Sequence, residues 1–143
     1  MTSLSHGDAE DLLARLRGAV QGRDVDAGVA LYARDGDVRP DPFGEHISGD
    51  LAIRAWWNAM AAGRANVEFD VERSWAVGRT VLASWHGAWT RRDTAERIRA
   101  RGFLILEVGN DGLIVRERRW TLEQAVGQDG TVEPEPEGSL DGR

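Results

Sequence analysis

Apolar residues recur at two different periods along this chain, and the change between them divides it in two. In the N-terminal part Leu12, Leu13, Leu16, Ala19 and Val20 fall at helical spacing, with Asp8, Glu10 and Asp11 in the first turn, which predicts an amphipathic helix over 8–20. A second helix is expected from Asp24 as N-cap through Val25, Val29, Leu31 and Tyr32, broken by the turn residues of "RDGD", which hold Asp35 and Asp37. A third opens at Ser48 or Asp50 and ends on Gly63. Beyond Gly63 the pattern alternates: Val67, Phe69 and Val71 interleave with Glu68, Asp70 and Glu72, and strand-like runs follow over 80–89, 96–109 and 112–122. Their separators are short, so neighbouring strands should pair as antiparallel hairpins. Three helices followed by a strand meander predict an α+β domain with the helices on one sheet face.

The run over 97–108 fixes its faces. Ile98, Ala100, Gly102, Leu104, Leu106 and Val108 alternate with Arg97, Arg99 and Arg101, so the even positions are the buried ones. Gly87 and Gly102 lie on adjacent predicted strands beside Trp85, Trp89 and Leu104. Glycine inside a strand marks a bend or a close approach, so a curved sheet could enclose a cavity lined by these rings; alternatively the rings fill a core. The last strand is ambiguous, because either parity turns an arginine inward: Glu117, Arg119 and Thr121 on one face, Arg116, Arg118 and Trp120 on the other.

Composition narrows the chemistry. The 143 residues suit one domain, assigned to 1–126, followed by an acidic tail over 127–143 expected to be disordered. That tail carries −4 of the formal charge of −6, leaving a nearly balanced body without the clustered positive charge that nucleic acid requires. No apolar run approaches the ~20 residues of a membrane span, and the acidic N-terminus does not read as a secretory leader; a cytoplasmic location is expected. Cysteine is absent and all 18 basic residues are arginine, which excludes thiolate and lysine Schiff-base chemistry. His6, His46 and His86 are scattered without metal-ligand spacing, so neither metal nor cofactor is expected. Proton transfer falls to Asp, Glu, His or the single Tyr32.

One acid stands out. In "VRPDPFG" Asp41 sits between Pro40 and Pro42, each fixing its own φ and pushing the residue before it toward extended backbone. Asp41 is therefore aimed, either into a pocket as a general acid or base or simply at solvent as a turn residue.

The order of helix, helix, "LYARDGDVRPDPFG", "ISGDLAIRAWW", curved meander and "GFLILEVGNDGLIVRERRW" resembles the nuclear transport factor 2-like superfamily, in its SnoaL-like and ketosteroid-isomerase-like branch, over about residues 8 to 125. The resemblance implies a cone-shaped, curved, mixed sheet with three N-terminal helices on its concave side. It implies that Asp41-Pro42-Phe43-Gly44 matches the family's acid-Pro-apolar-Gly motif, whose acid is the isomerases' general base. The isomerase oxyanion groups fall on Leu16 and Leu104 here, a departure from that arrangement. Tyr32 and Trp57 match pocket aromatics, the odd face of the last strand turns Glu117 and Arg119 inward, and His86 faces outward on a convex surface that serves homodimers. The expected catalytic set is thus Asp41, Glu117 and Arg119, with Tyr32, Phe43, Trp57, Trp85, Trp89 and Leu104 binding substrate. The implied activity is cofactor-independent acid/base chemistry (isomerisation, cyclisation or epoxide opening) on a hydrophobic polycyclic or polyketide-like molecule. The alternative is a non-catalytic ligand-binding or dimeric assembly domain.

Overall fold

The computed structural model describes residues 2–128. Helix α1 (His6–Gly22) begins in a capping box: Ser5 Oγ accepts the Asp8 N–H, and Asp8 Oδ2 accepts the Ser5 N–H, both at 3.0 Å. It ends on Arg23 in the left-handed region, and it buries Leu12, Leu13 and Leu16, worth about 1.5–3 kcal/mol each. Helix α2 (Val25–Val29), capped by Asp24 as expected, is shorter than its apolar pattern suggested. Leu31 closes a turn, and Tyr32 opens strand β1 (Tyr32–Arg39).

"RDGD" is therefore not a turn but part of β1, and Asp35 and Asp37 are strand residues. Turn-forming side chains favour turns only until a long-range partner supplies the backbone hydrogen bonds. That partner is β6 (Ile114–Gln128), which pairs parallel with β1 from Tyr32↔Ile114 to Arg39↔Arg118, with an irregularity between Tyr32 and Asp37. Gly36 lies at that irregularity, where a Cβ would stand 3.0 Å from the Ala33 carbonyl and 3.3 Å from that of Ile114.

A two-residue strand, β2 (Ile47–Ser48), precedes helix α3 (Asp50–Gly63), so two strands separate the second and third helices. The meander then runs through β3 (Arg64–Val77), β4 (Thr80–Arg91), β5 (Glu96–Val108) and β6. The sheet order is β2-β1-β6-β5-β4-β3, antiparallel except between β1 and β6. This is the expected α+β architecture, a curved mixed sheet with three helices on its concave side. Of the segment read as a tail, Gly127 and Gln128 extend β6; 129–143 lies outside the described residues. No helix among the described residues is long and apolar enough to cross a membrane.

The two strand glycines do not vacate a cavity. A Cβ at Gly102 would stand 2.6 Å from the Trp85 ring and would strike the Trp120 carbonyl; one at Gly87 would stand 2.7 Å from the Glu68 carbonyl. Each permits a close approach that is already filled.

Candidate active site

An open hollow of ≈ 880 Å³ lies between α3, the segment 40–43 and strands β3 to β6. Its wall is built from β4 and α3. Trp85 and Trp89, four apart on β4, share one sheet face, while Trp56 and Met60 share one face of α3. Phe69 on β3 packs against Trp85 with centroids 5.2 Å apart. Pro40, Asp41, Pro42 and Phe43 form part of the rim.

Of the three arginines bordering the hollow, Arg101 is exposed and paired with Glu72 at 3.5 Å, and the other two face the apolar wall. Arg119 reaches it from β6, its Cζ 5.4 Å from the Trp56 ring centroid. Behind Arg119 lies Glu117, on the same face of β6 and 0% exposed. Glu117 Oε2 accepts from Arg119 Nε at 2.9 Å and also from Nη2, while its Oε1 accepts from the Tyr32 hydroxyl at 2.5 Å. Tyr32 reaches Glu117 because the β1–β6 pairing brings the first residue of β1 beside β6. Burial disfavours the Arg119 cation, but the adjacent Glu117 outweighs it and holds the guanidinium pKa above the ordinary arginine value. Burial, reinforced by Glu117, pushes the Tyr32 hydroxyl well above the usual tyrosine range, so it stays a donor.

Arg64, at the start of β3, is the second cation, its Cζ 3.9 Å above the Trp89 ring centroid. Burial and the charge of Arg119 pull its pKa down to about 10, which still leaves a cation at neutral pH. Among the described residues no carboxylate lies within ion-pair distance of Arg64.

The residues expected from sequence divide between hollow, rim and core. Trp85, Trp89 and Arg119 line the hollow, and Glu117 stands behind Arg119. Tyr32, Trp57 and Leu104 are buried in the core and do not line it; Trp57 packs edge-on to Tyr32 at 6.5 Å, and its neighbour Trp56 faces the hollow instead. Asp41 lies on the rim but is exposed, not enclosed by rings: its Oδ1 accepts the Phe43 N–H at 2.9 Å, and its carbonyl accepts the Gly44 N–H at 2.9 Å. Phe43 is 97% exposed at the tip of this turn. His46 bonds Asp37 at 2.7 Å, not Asp41, and His86 bonds Glu72 at 3.0 Å on the exposed side. Trp56, Met60, Phe69 and Arg64 were not singled out by sequence reading; the spacing of Trp56 and Met60 was the signal that could have found the first two.

A curved mixed sheet wrapped by three helices around one apolar, arginine-bearing hollow places the chain in the nuclear transport factor 2-like class. Within it, residues 13–117 match the model of the SnoaL-like domain, and the chain belongs to that family. A search among curated proteins finds no match by sequence. Among solved structures, SalBIII, described as an epoxide hydrolase/cyclase-like enzyme in pyran ring formation of the polyether salinomycin, is similar at a TM-score of 0.74 and 17% identity, over 82% of this chain and 93% of its own. An LEH-like epoxide hydrolase of M. tuberculosis gives a TM-score of 0.69 at 20% identity, over 81% and 84%. The protein RV0760c of Mycobacterium tuberculosis, in complex with estradiol-17beta-hemisuccinate, gives 0.68 at 20%, over 79% and 92%. At such identities the likeness is one of fold.

Proposed function

We propose that the hollow binds a hydrophobic polycyclic or polyketide-like molecule and that the chain performs cofactor-independent proton-transfer chemistry on it. The observation that carries this reading is the Tyr32–Glu117–Arg119 assembly. Burying an ion pair gains little over packing apolar groups of the same size, so a pair set against an apolar cavity is better accounted for by chemistry than by stability. Glu117 holds two of the guanidinium nitrogens, and Tyr32 holds Glu117. The donors that Arg119 has left serve a substrate oxygen. In an isomerisation or cyclisation, Asp41 takes a proton from a carbon beside a carbonyl, the C–H electron pair moves into the carbonyl, and Arg119 stabilises the enolate oxygen until a proton or a carbon electrophile is added. In epoxide opening, Arg119 would stabilise the departing alkoxide.

The exposure of Asp41 favours a second reading, in which the same hollow only binds. Deuterium wash-in separates the two. The protein is incubated in heavy water with α-tetralone or androstenedione, and exchange is followed by NMR; styrene oxide reports opening. The enzyme reading expects exchange or opening with at least one probe. It also expects losses of about 100-fold or more in Asp41→Asn and in Arg119→Met, with probe binding retained in the Asp41 variant. Probes that bind without reacting leave the binding reading standing and remove the enzymatic one.

Exposed Trp75 and Trp120, with Phe103 packed against Trp75 on the same face, support a homodimer formed through the convex side of the sheet.

A further inference from the structure

We infer that the molecule held in this hollow is an anion, an apolar body carrying a carboxylate or comparable planar anionic group, and that Arg64 is the residue that reads it. The inference rests on the ligand-binding reading above and names the class of ligand.

Charge bookkeeping around the cavity leads to it. Arg119 is neutralised by Glu117. Glu68, on the rim, is taken by Arg97 at 2.9 Å; Glu72 is taken by His86 and Arg101; Glu123 is taken by Arg91 at 3.3 Å. Two lining charges have no ion-pair partner among the described residues. Asp41 is exposed to water in its turn, whereas Arg64 is half-buried, so its lack of a partner is the more costly one. Among the described residues the Arg64 guanidinium lies over the Trp89 face at 3.9 Å and its Nη1 reaches Met60 Sδ at 3.9 Å. A ring under one face of a guanidinium leaves its in-plane donors open, and those donors match a carboxylate in a two-bond fork. The neighbouring surfaces of Trp56, Trp85 and Phe69 call for an apolar body. With Arg119 paired to Glu117, Arg64 is the lining cation left without a counter-charge in contact among the described residues. An anion seated beside Arg64 supplies the missing counter-charge, while a neutral molecule leaves the half-buried guanidinium unpaired.

The test uses two probes of one shape, pyrenebutyric acid and its methyl ester, with binding read by tryptophan quenching at neutral pH. The acid should bind roughly 10- to 100-fold tighter than the ester, the range of a charge-assisted hydrogen bond in a partly dry site. Arg64→Met should abolish that preference while leaving the ester's affinity within about twofold, which also reports that the cavity remains folded. Arg64→Lys, retaining charge without the fork, should keep part of the preference and make it more sensitive to salt. Equal binding of acid and ester to the wild type overturns the inference and leaves the ligand-binding reading intact. A preference that survives Arg64→Met also overturns it, assigning the anion to Arg119. If neither probe binds, the ligand-binding reading falls and this inference falls with it.

Discussion

Replacing Glu117 with glutamine tests whether the assembly beneath the hollow is as dry as its geometry indicates. The carboxylate is 0% exposed and receives the Tyr32 hydroxyl on one oxygen and the Arg119 guanidinium on the other, while Arg119 itself is only 8% exposed. Glutamine keeps the shape, and its carboxamide can still accept from Arg119 and donate to Tyr32. The counter-charge is lost. Stranding one member of a buried pair costs about 3–5 kcal/mol, a large fraction of the roughly 5–15 kcal/mol that holds a domain together. With a urea dependence of about 2 kcal/mol per molar, the unfolding midpoint should fall by about 1.5–2.5 M. Six tryptophans provide the fluorescence signal. Methionine at both 117 and 119, with phenylalanine at 32 so that no buried hydroxyl is left unpaired, should stay within about 1 kcal/mol of the wild type, and the coupling between 117 and 119 measured in the Tyr32→Phe background should exceed about 2 kcal/mol. A loss below about 1 kcal/mol in Glu117→Gln, with negligible coupling, would mean that water screens the pair as it does surface pairs, and the argument for a preorganised Arg119 would fail.

Tyr32→Phe should be destabilised by about 1–3 kcal/mol at neutral pH, since Glu117 Oε1 loses its donor. Because the folded hydroxyl titrates above the ordinary value of 10.0, the wild-type advantage is fully present below about pH 10 and is lost above it at up to ~1.4 kcal/mol per pH unit. Urea melts of both proteins at neutral and alkaline pH check this, and a pH-independent gap would contradict it. Gly102→Ala should cost at least about 1–3 kcal/mol in thermal melts, because its methyl meets the Trp120 backbone, whereas Gly63→Ala, which meets nothing within 4 Å, should be nearly neutral. Light scattering should show a dimer that Trp75→Glu converts to a monomer; a wild-type monomer at every concentration would refute the convex interface.

The helices and the meander were legible because each has one buried face, so period alone separates them. β1 was not. Its sequence "YARDGDVR" carries turn residues, and its strand identity comes from β6, whose first paired residue lies more than 80 positions away. Adjacent Trp56 and Trp57 illustrate a second limit. They lie about 100° apart around one helix, and which of them meets the hollow depends on how α3 sits over β1 and β3 rather than on the helix itself. The parity of β6 could not be read from its arginines, which occupy both faces; only the resemblance turned Glu117 and Arg119 inward. Asp41 shows a third limit: two prolines reveal that a backbone is stiff but not where it points. Arg64 was passed over because the first residue after a helix looks like a link, and only the fold lays it across Trp89.

Among the described residues β6 is the one strand joining the β2-β1 pair to the β3–β5 meander. During synthesis those two halves leave the ribosome in turn and must wait, their apolar faces uncovered, for the last strand described here to arrive. Such distant pairing is the kind that slows folding, because loop-closure entropy must be met before the long-range contacts form. A chain cut short before Ile114 lacks Glu117 and Arg119 along with the bridge between the two halves of the sheet.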